Sequence, residues 1–318
     1  MKRTISLFIA IAIMLSFTAC GAYISSGDAN VEAPSKADGN STDVVNPIES
    51  SSPVQATNDI PAPAKNEISF TEVIVVDNDE CSIKITGIDP DNIWGYTLKA
   101  LFENKSTDKT YMFSVESAAI NGVQCDPLFA AEVAGGKKSN NDINFSTDKF
   151  EKNGVGDYTD IELTFRVYDS NDWLADPVAY ESIHIYPYGE DKAVQFVREA
   201  QPNDTVIVDN DSVTVIVTGY EDDSILGYTV NLFLLNKTDK NIMFTVDEVS
   251  VNGFMADPFY ATTVSAGKCA FSSMSWSDTT FEENGITAVE EIEFKLRAYD
   301  SDDFMADDFA NEVITLKP

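Results

Sequence analysis

The chain has 318 residues, 43% of them hydrophobic, and a formal charge of −32 from 53 acidic against 21 basic residues. That length and composition suit two domains of ordinary size with real cores. The charge repels phosphate backbones and anionic lipid surfaces, so nucleic acid is not among the expected partners.

Lys2 and Arg3 supply a positive start, and Leu7 to Phe17 form an apolar run too short to span a bilayer as a stable helix. The run ends at Phe17-Thr18-Ala19-Cys20-Gly21. This segment resembles the bacterial lipobox, although Phe17 stands where the lipobox usually has Leu. The resemblance implies that residues 1–19 are a signal peptide and that Cys20 is the lipidation site. The mature chain would then be held on the outer face of the bacterial cell membrane, where two acyl chains give stable anchoring. The competing reading is a conventional signal peptide cleaved nearby, after Ala22.

Residues 20–66 continue as a linker rich in Ser, Asn, Asp, Ala and Pro, as in Ser50-Ser51-Ser52-Pro53 and Pro61-Ala62-Pro63. So few branched and aromatic residues predict disorder. A coil of this length has a mean span on the order of 35–40 Å.

From residue 67 the chain says everything twice. Phe165-Arg166-Val167-Tyr168-Asp169-Ser170-Asn171-Asp172 is answered by Leu296-Arg297-Ala298-Tyr299-Asp300-Ser301-Asp302-Asp303, so that Arg166 and Arg297 lie 131 positions apart. Val76-Asp77-Asn78-Asp79 answers Val208-Asp209-Asn210-Asp211, and Gly95-Tyr96-Thr97 answers Gly227-Tyr228-Thr229. Asn121-Gly122 answers Asn252-Gly253, and Gly136-Lys137 answers Gly267-Lys268. A period this long marks tandem domains, here residues 67–188 and 203–318, since solenoid repeats run to about 20–50 residues.

Each copy reads as all-β. Ser82 to Ile88 alternates, and Tyr96, Leu98, Ala100 and Phe102 form a period-two set. Ala118 to Leu128 reads as a hairpin around Asn121-Gly122. Ile161, Leu163, Phe165 and Val167 alternate with polar neighbours, and Ile183, Ile185 and Pro187 close the copy. One helical turn is expected near Asp148 to Asn153, stopped by Gly154. Seven to nine short strands per copy predict a two-sheet sandwich. Between the copies, residues 189–202 form a connector, with a short helix expected over Glu190–Ala200 that packs into the joint.

The lipobox, the linker and the sandwich repeats together resemble the immunoglobulin-like lipoproteins of Gram-positive bacteria. The turns carry the likeness: Asn104 to Lys109 and Asn236 to Lys240, the Asn-Gly hairpins, the Gly-Lys turns, and strands ending in Tyr-Asp. The resemblance implies two tandem Ig-like β-sandwich domains at the cell surface, working as a non-catalytic binding or accessory module. The partner would be an unidentified surface protein or glycan, and no catalytic residue carries over.

Three cysteines remain after Cys20: Cys81, Cys125 and Cys269, none matched in the other copy. A Cys81–Cys125 disulfide and buried free thiols are both open, with free thiols preferred, and no spacing resembles a zinc site. The one histidine, His184, sits on a strand, where a solvent-facing or hydrogen-bonded imidazole is the ordinary expectation. No catalytic elbow, phosphate loop or zinc motif occurs.

Two features could carry binding. Asp169, Asp172 and Asp176, repeated as Asp300, Asp303 and Asp307, supply the oxygens that a Ca²⁺ site needs, although Asp is equally a turn residue that bonds its own backbone. Ca²⁺ is the one cofactor this suggests, and it frames the second reading of the chain as a calcium-stabilised adhesive or carbohydrate-binding module. A cell-envelope hydrolase or inhibitor is the remote third. Inside the same turns lie Trp173-Leu174 and Phe304-Met305. Exposed, they are anchors for a partner. Folded back, they plug the end of the sandwich, which is the preferred expectation. Phe254-Met255 is expected beside Phe304-Met305 at one end of the second copy. Trp94 and Trp276 are expected in core or half-core positions, and Arg166 and Arg297 in cross-strand ion pairs.

Overall fold

The computed structural model describes residues 67–318. The signal peptide, Cys20 and the linker lie outside the described residues. The first copy runs β1 (Val73–Asp77), β2 (Cys81–Asp89), β3 (Tyr96–Asn104), β4 (Tyr111–Ile120), β5 (Val123–Cys125), β6 (Ala130–Val133), β7 (Lys138–Phe145), α1 (Asp148–Lys152), β8 (Ile161–Asp169) and β9 (Ala179–Ile185). The second runs β10 (Thr205–Asp209), β11 (Val213–Ser224), β12 (Gly227–Asn236), β13 (Ile242–Val251), β14 (Phe254–Met255), β15 (Thr262–Val264), β16 (Cys269–Trp276), α2 (Asp278–Asn284), β17 (Ile292–Asp300) and β18 (Ala310–Leu316). The all-β expectation holds.

In the first copy β1-β2-β3-β7 form one sheet, and β4 pairs with β5, β6 and β8, with β9 outside β8. The second copy follows the same plan, with β10-β11-β12-β16 in one layer and β13 pairing β14, β15 and β17 in the other. The alternation read from sequence decides what lies between the layers. Leu98 and Phe102 of β3 point inward and meet Phe113 of β4 and Phe165 of β8; the Phe102 ring lies 5.2 Å from Phe113 and 6.3 Å from Phe165. The matching core of the second copy is built from Val230, Leu232, Leu234, Phe244, Phe294 and Leu296. Burying a side chain of this size contributes about 1.5–3 kcal/mol.

Asparagines set the turns. Asn104 is fully buried at the end of β3; its Nδ2 donates to the carbonyls of Lys109 and Val133, and its Oδ1 accepts from the Ser106 amide. Asn236 repeats this with Lys240, Val264 and Thr238. The Asn121-Gly122 and Asn252-Gly253 pairs both take positive φ, as a two-residue hairpin requires.

The described residues, 67–318, belong to one compact unit. The strand edges of the two copies meet: β16 pairs in parallel with β5 at Cys269 and Val123, with the Cys269 amide donating to the Gly122 carbonyl at 3.1 Å. Gln124 donates to the Thr263 carbonyl at 2.6 Å and accepts from the Ser265 amide at 2.8 Å. Lys268 pairs with Glu162. Phe233 and Cys269, on the outward face of the second copy, are buried as members of the first copy's core cluster, and Ile216, Leu235 and Phe271 pack against it.

The connector departs from expectation. Only Glu190–Lys192 make a helical turn, of the 3₁₀ type, and residues 193–200 carry no regular structure. The chain is drawn out by tertiary contacts: the Phe196 amide donates to the Asn121 carbonyl at 2.7 Å, and the Phe196 ring meets Phe271 edge-on at 5.9 Å. Arg198 grips Asp204 with two hydrogen bonds of 2.6 and 2.7 Å, and that pairing holds the Asp204 carboxyl below its ordinary range.

The two buried asparagines give a direct check. Asn104→Ala and Asn236→Ala each leave several main-chain groups without partners, and each should lower unfolding stability by about 2–3 kcal/mol in urea titrations. An exposed control, Asn171→Ala, should stay within about 0.5 kcal/mol.

Candidate binding surfaces

The loop after β8 is a tight acidic turn. Asp169 Oδ1 accepts from the Asn171 amide at 3.0 Å, its carbonyl accepts from the Asp172 amide at 3.0 Å, and the Asp172 carbonyl accepts from Ala175 at 3.2 Å. Arg166 donates to the Trp173 carbonyl at 2.9 Å while its guanidinium lies 4.4 Å from the centre of the Tyr168 ring. The backbone is thereby pinned and the side chains at the tip are turned out: Trp173 is 64% exposed and Leu174 77%.

The loop after β17 has the same construction. Asp300 accepts from the Asp302 amide at 3.0 Å, and Asp303 Oδ1 from the Met305 amide at 3.2 Å. Arg297 reaches Asp308 through two hydrogen bonds of 3.0 and 2.9 Å, which hold the Asp308 carboxyl low, and its guanidinium lies 5.1 Å from the Tyr299 ring centre. Phe304 is 72% exposed and Met305 80%. The plug expectation is therefore overturned in both copies. The turn hydrogen bonds fix the loop without any need for the apolar pair.

The acids of these turns do not converge. Among the described residues no group of three or more His, Cys, Asp or Glu side chains is placed to hold a metal ion. Asp169 faces Lys109 at 3.8 Å, and Asp300 is paired with Lys240, whose hydrogen bond keeps its carboxyl below the usual range. Asp303 bonds its own loop, while Asp172, Asp176 and Asp307 stand out in solvent. The geometry expected of a Ca²⁺ site at Asp169, Asp172, Asp176, Asp300, Asp303 and Asp307 is not assembled. At Asp169, Asp300 and Asp303, backbone amides and lysines take the oxygens instead. Asn78 and Asn210 likewise spend their Oδ1 atoms on the amides that close their own turns.

Other expectations need correction. Trp276 is a core residue at 1% exposure, with its indole donating to the Ala256 carbonyl at 2.8 Å, but Trp94 is 72% exposed. It sits with Ile93 on the β2–β3 loop, and Ile225 and Leu226 occupy the matching loop of the second copy, all exposed. The following glycines carry the turn: a Cβ on Gly95 would lie 2.2 Å from the Phe145 carbonyl oxygen, and one on Gly227 2.2 Å from that of Trp276. An apolar pair before a Gly-Tyr-Thr strand start in both copies was the available signal. Phe254-Met255 does not lie beside Phe304-Met305. Phe254 pairs with Val251, which faces Ile292 at the start of β17, whereas Phe304 follows Asp300 at its end. Arg297 makes its expected ion pair, but Arg166 holds a carbonyl.

Among the described residues, Cys81, Cys125 and Cys269 are free. Burial pushes the Cys81 and Cys269 thiols up to about 11 and the Cys125 thiol up to about 12, which disfavours the thiolate a nucleophile would need. His184 Nδ1 lies 2.7 Å from Asp160 Oδ1, and its ring stacks on Tyr186. Among the described residues no helix is long and apolar enough to cross a membrane.

Loop tips that serve a partner should cost the fold little. Trp173→Ala, Leu174→Ala, Phe304→Ala and Met305→Ala should each change unfolding stability by no more than about 0.5 kcal/mol. Plugs would cost about 2–5 kcal/mol on truncation. Equilibrium denaturation of the four variants separates the two.

Comparison of the sequence with protein-family models and with curated proteins finds no match.

Proposed function

We propose that the chain is an exported lipoprotein, lipidated at Cys20, whose two copies are tandem Ig-like β-sandwich domains that act as a non-catalytic binding module at the outer face of the cell membrane. Strand order supports the Ig-like part of the reading. β3 lies between β2 and β7 in one layer, and β4 lies beside β8, then β9, in the other. The chain crosses between layers from β3 to β4, from β6 to β7 and from β7 to β8, the crossings that join the two sheets of an Ig sandwich.

The observation that carries the binding role is the duplicated display of large apolar side chains. Trp173-Leu174 and Phe304-Met305 stand on loops whose backbones are fixed, so little ordering entropy is lost when a partner covers them. Each pair is ringed by Asp residues: Asp169, Asp172 and Asp176 in one loop, and Asp302, Asp303 and Asp307 in the other. An apolar socket with a neutral or basic rim is the matching surface. The lipidated cysteine would anchor the chain, and the spacer after it would hold these tips away from the membrane.

Two measurements on the full chain test this. Expressed in a Gram-positive host, the protein should incorporate labelled palmitate, and Cys20→Ser should abolish incorporation. Purified protein should bind intact Gram-positive cells. Combined Trp173→Ala and Phe304→Ala substitution should weaken that binding at least tenfold, since a buried aromatic contributes more than the roughly 1.4 kcal/mol that a factor of ten represents. Unchanged labelling in Cys20→Ser, or unchanged cell binding in the double variant, would contradict the reading.

A further inference from the structure

The edge of β16 is paired only at its two ends. In an antiparallel strand, alternate residues turn both backbone groups toward one neighbour. The Cys269 amide reaches outward to the Gly122 carbonyl, and Ser275 exchanges two bonds outward with Phe259, at 2.7 and 3.3 Å. Cys269, Phe271, Ser273 and Ser275 therefore share the outward parity, while Ala270, Ser272, Met274 and Trp276 turn to β12. Between the two end bridges, the N–H and C=O groups of Phe271 and Ser273 point away from the sheet and have no hydrogen-bond partner among the described residues.

This gap opens into a cleft of about 790 Å³ between the copies, a size usual for ligand pockets. Its far wall is Phe145, Phe150 and Pro127 of the first copy, and its near wall is Phe259, Tyr260 and Phe271 of the second. Six residue steps from Cys269 to Ser275 give the gap a length of about 20 Å.

The first copy treats the same edge differently. The outward positions of β7 that match Cys269, Phe271 and Ser273 are Lys138, Asn140 and Asp142, all exposed. Charged and polar side chains of this kind guard a free edge against pairing. The second copy lacks the guard at the one edge that an aromatic cleft encloses.

We propose that this cleft binds an extended peptide by strand addition to β16. The peptide pairs through its main chain with Phe271 and Ser273 and continues the ladder between the Val123 and Phe259 bridges. Its side chains alternate between the Tyr260 side and the Phe271 side, so apolar residues are favoured at alternate positions. Asp126 at the cleft and the net charge of −32 disfavour acidic peptides. The site is separate from the loop tips of the proposed function and does not depend on them.

The test is selection of a random 12-residue peptide library on the full chain, followed by hydrogen exchange and affinity measurement with the enriched peptides. The expected peptides alternate apolar positions. They should slow exchange of the Phe271 and Ser273 amides and leave Ala270 and Ser272 unchanged. Ser273→Pro removes only an outward amide and should weaken binding at least tenfold; Ser273→Ala keeps the amide and should bind as the parent does. Trp173→Ala and Phe304→Ala should also leave the affinity unchanged, which separates this site from the loop tips. Failure to enrich any sequence would overturn the proposal. So would enriched peptides that leave the Phe271 and Ser273 amides unprotected in the unsubstituted protein, whatever the fate of the proline variant.

Discussion

The hairpin turn at Asn121-Gly122 ties the described structure together. The Asn121 side chain donates to the Asp157 carbonyl and accepts from the Thr159 amide and hydroxyl and from the Asp160 amide. Its main-chain carbonyl accepts from Phe196 of the connector, and the next carbonyl, of Gly122, accepts from Cys269 of the second copy. One turn thus fixes the end of the first sandwich, the path between the copies and the edge of the second sheet. Gly122 itself takes a positive φ of 81°, a conformation that disfavours any other residue at this point of the turn.

The same turn in the second copy shows what the joint adds. Asn252 repeats the internal bonds, donating to the Ala288 carbonyl and accepting from the Glu290 and Glu291 amides. Among the described residues nothing docks on it: Phe254 and Met255 are exposed where Val123 is buried and Gln124 bonded across the joint. The divergence is chemical. Where the second copy offers Cys269 and Phe271 to its neighbour, the first has Lys138 and Asn140 at the matching edge. The two copies therefore share a fold but make one head-to-tail contact in place of an open-ended series. Both loop tips and the cleft are then carried on one unit, which keeps their spacing fixed for a partner.

Much of this was legible in sequence because it follows from period two and turn chemistry. Leu98, Phe102, Leu163 and Phe165 alternate and are buried, Asn121-Gly122 makes its hairpin, and Gly154 stops the short helix. The misses share a cause. Glu190–Ala200 has ordinary helix formers, but Phe196 gains more by reaching Asn121 and Phe271 than a helix would offer. Trp276 closes the alternating run of β16 and is buried, whereas Trp94 lies in the β2–β3 loop, where no strand period sets its direction. The acids of the β8–β9 and β17–β18 loops have metal-like composition, but a local carboxylate finds a backbone amide before it finds a cation. The open edge of β16 leaves no local signal, because it exists only where the first copy closes over it.

The copies are coupled through the apolar joint of Phe196, Phe233 and Phe271, and equilibrium urea unfolding of the full chain measures that coupling. The unsubstituted protein should unfold in one transition by near-UV dichroism and fluorescence. Phe233→Asp with Phe271→Asp, which places charges in the joint, should split it into two. Two independent transitions in the unsubstituted protein, unaffected by those substitutions, would show that the joint does not couple the copies.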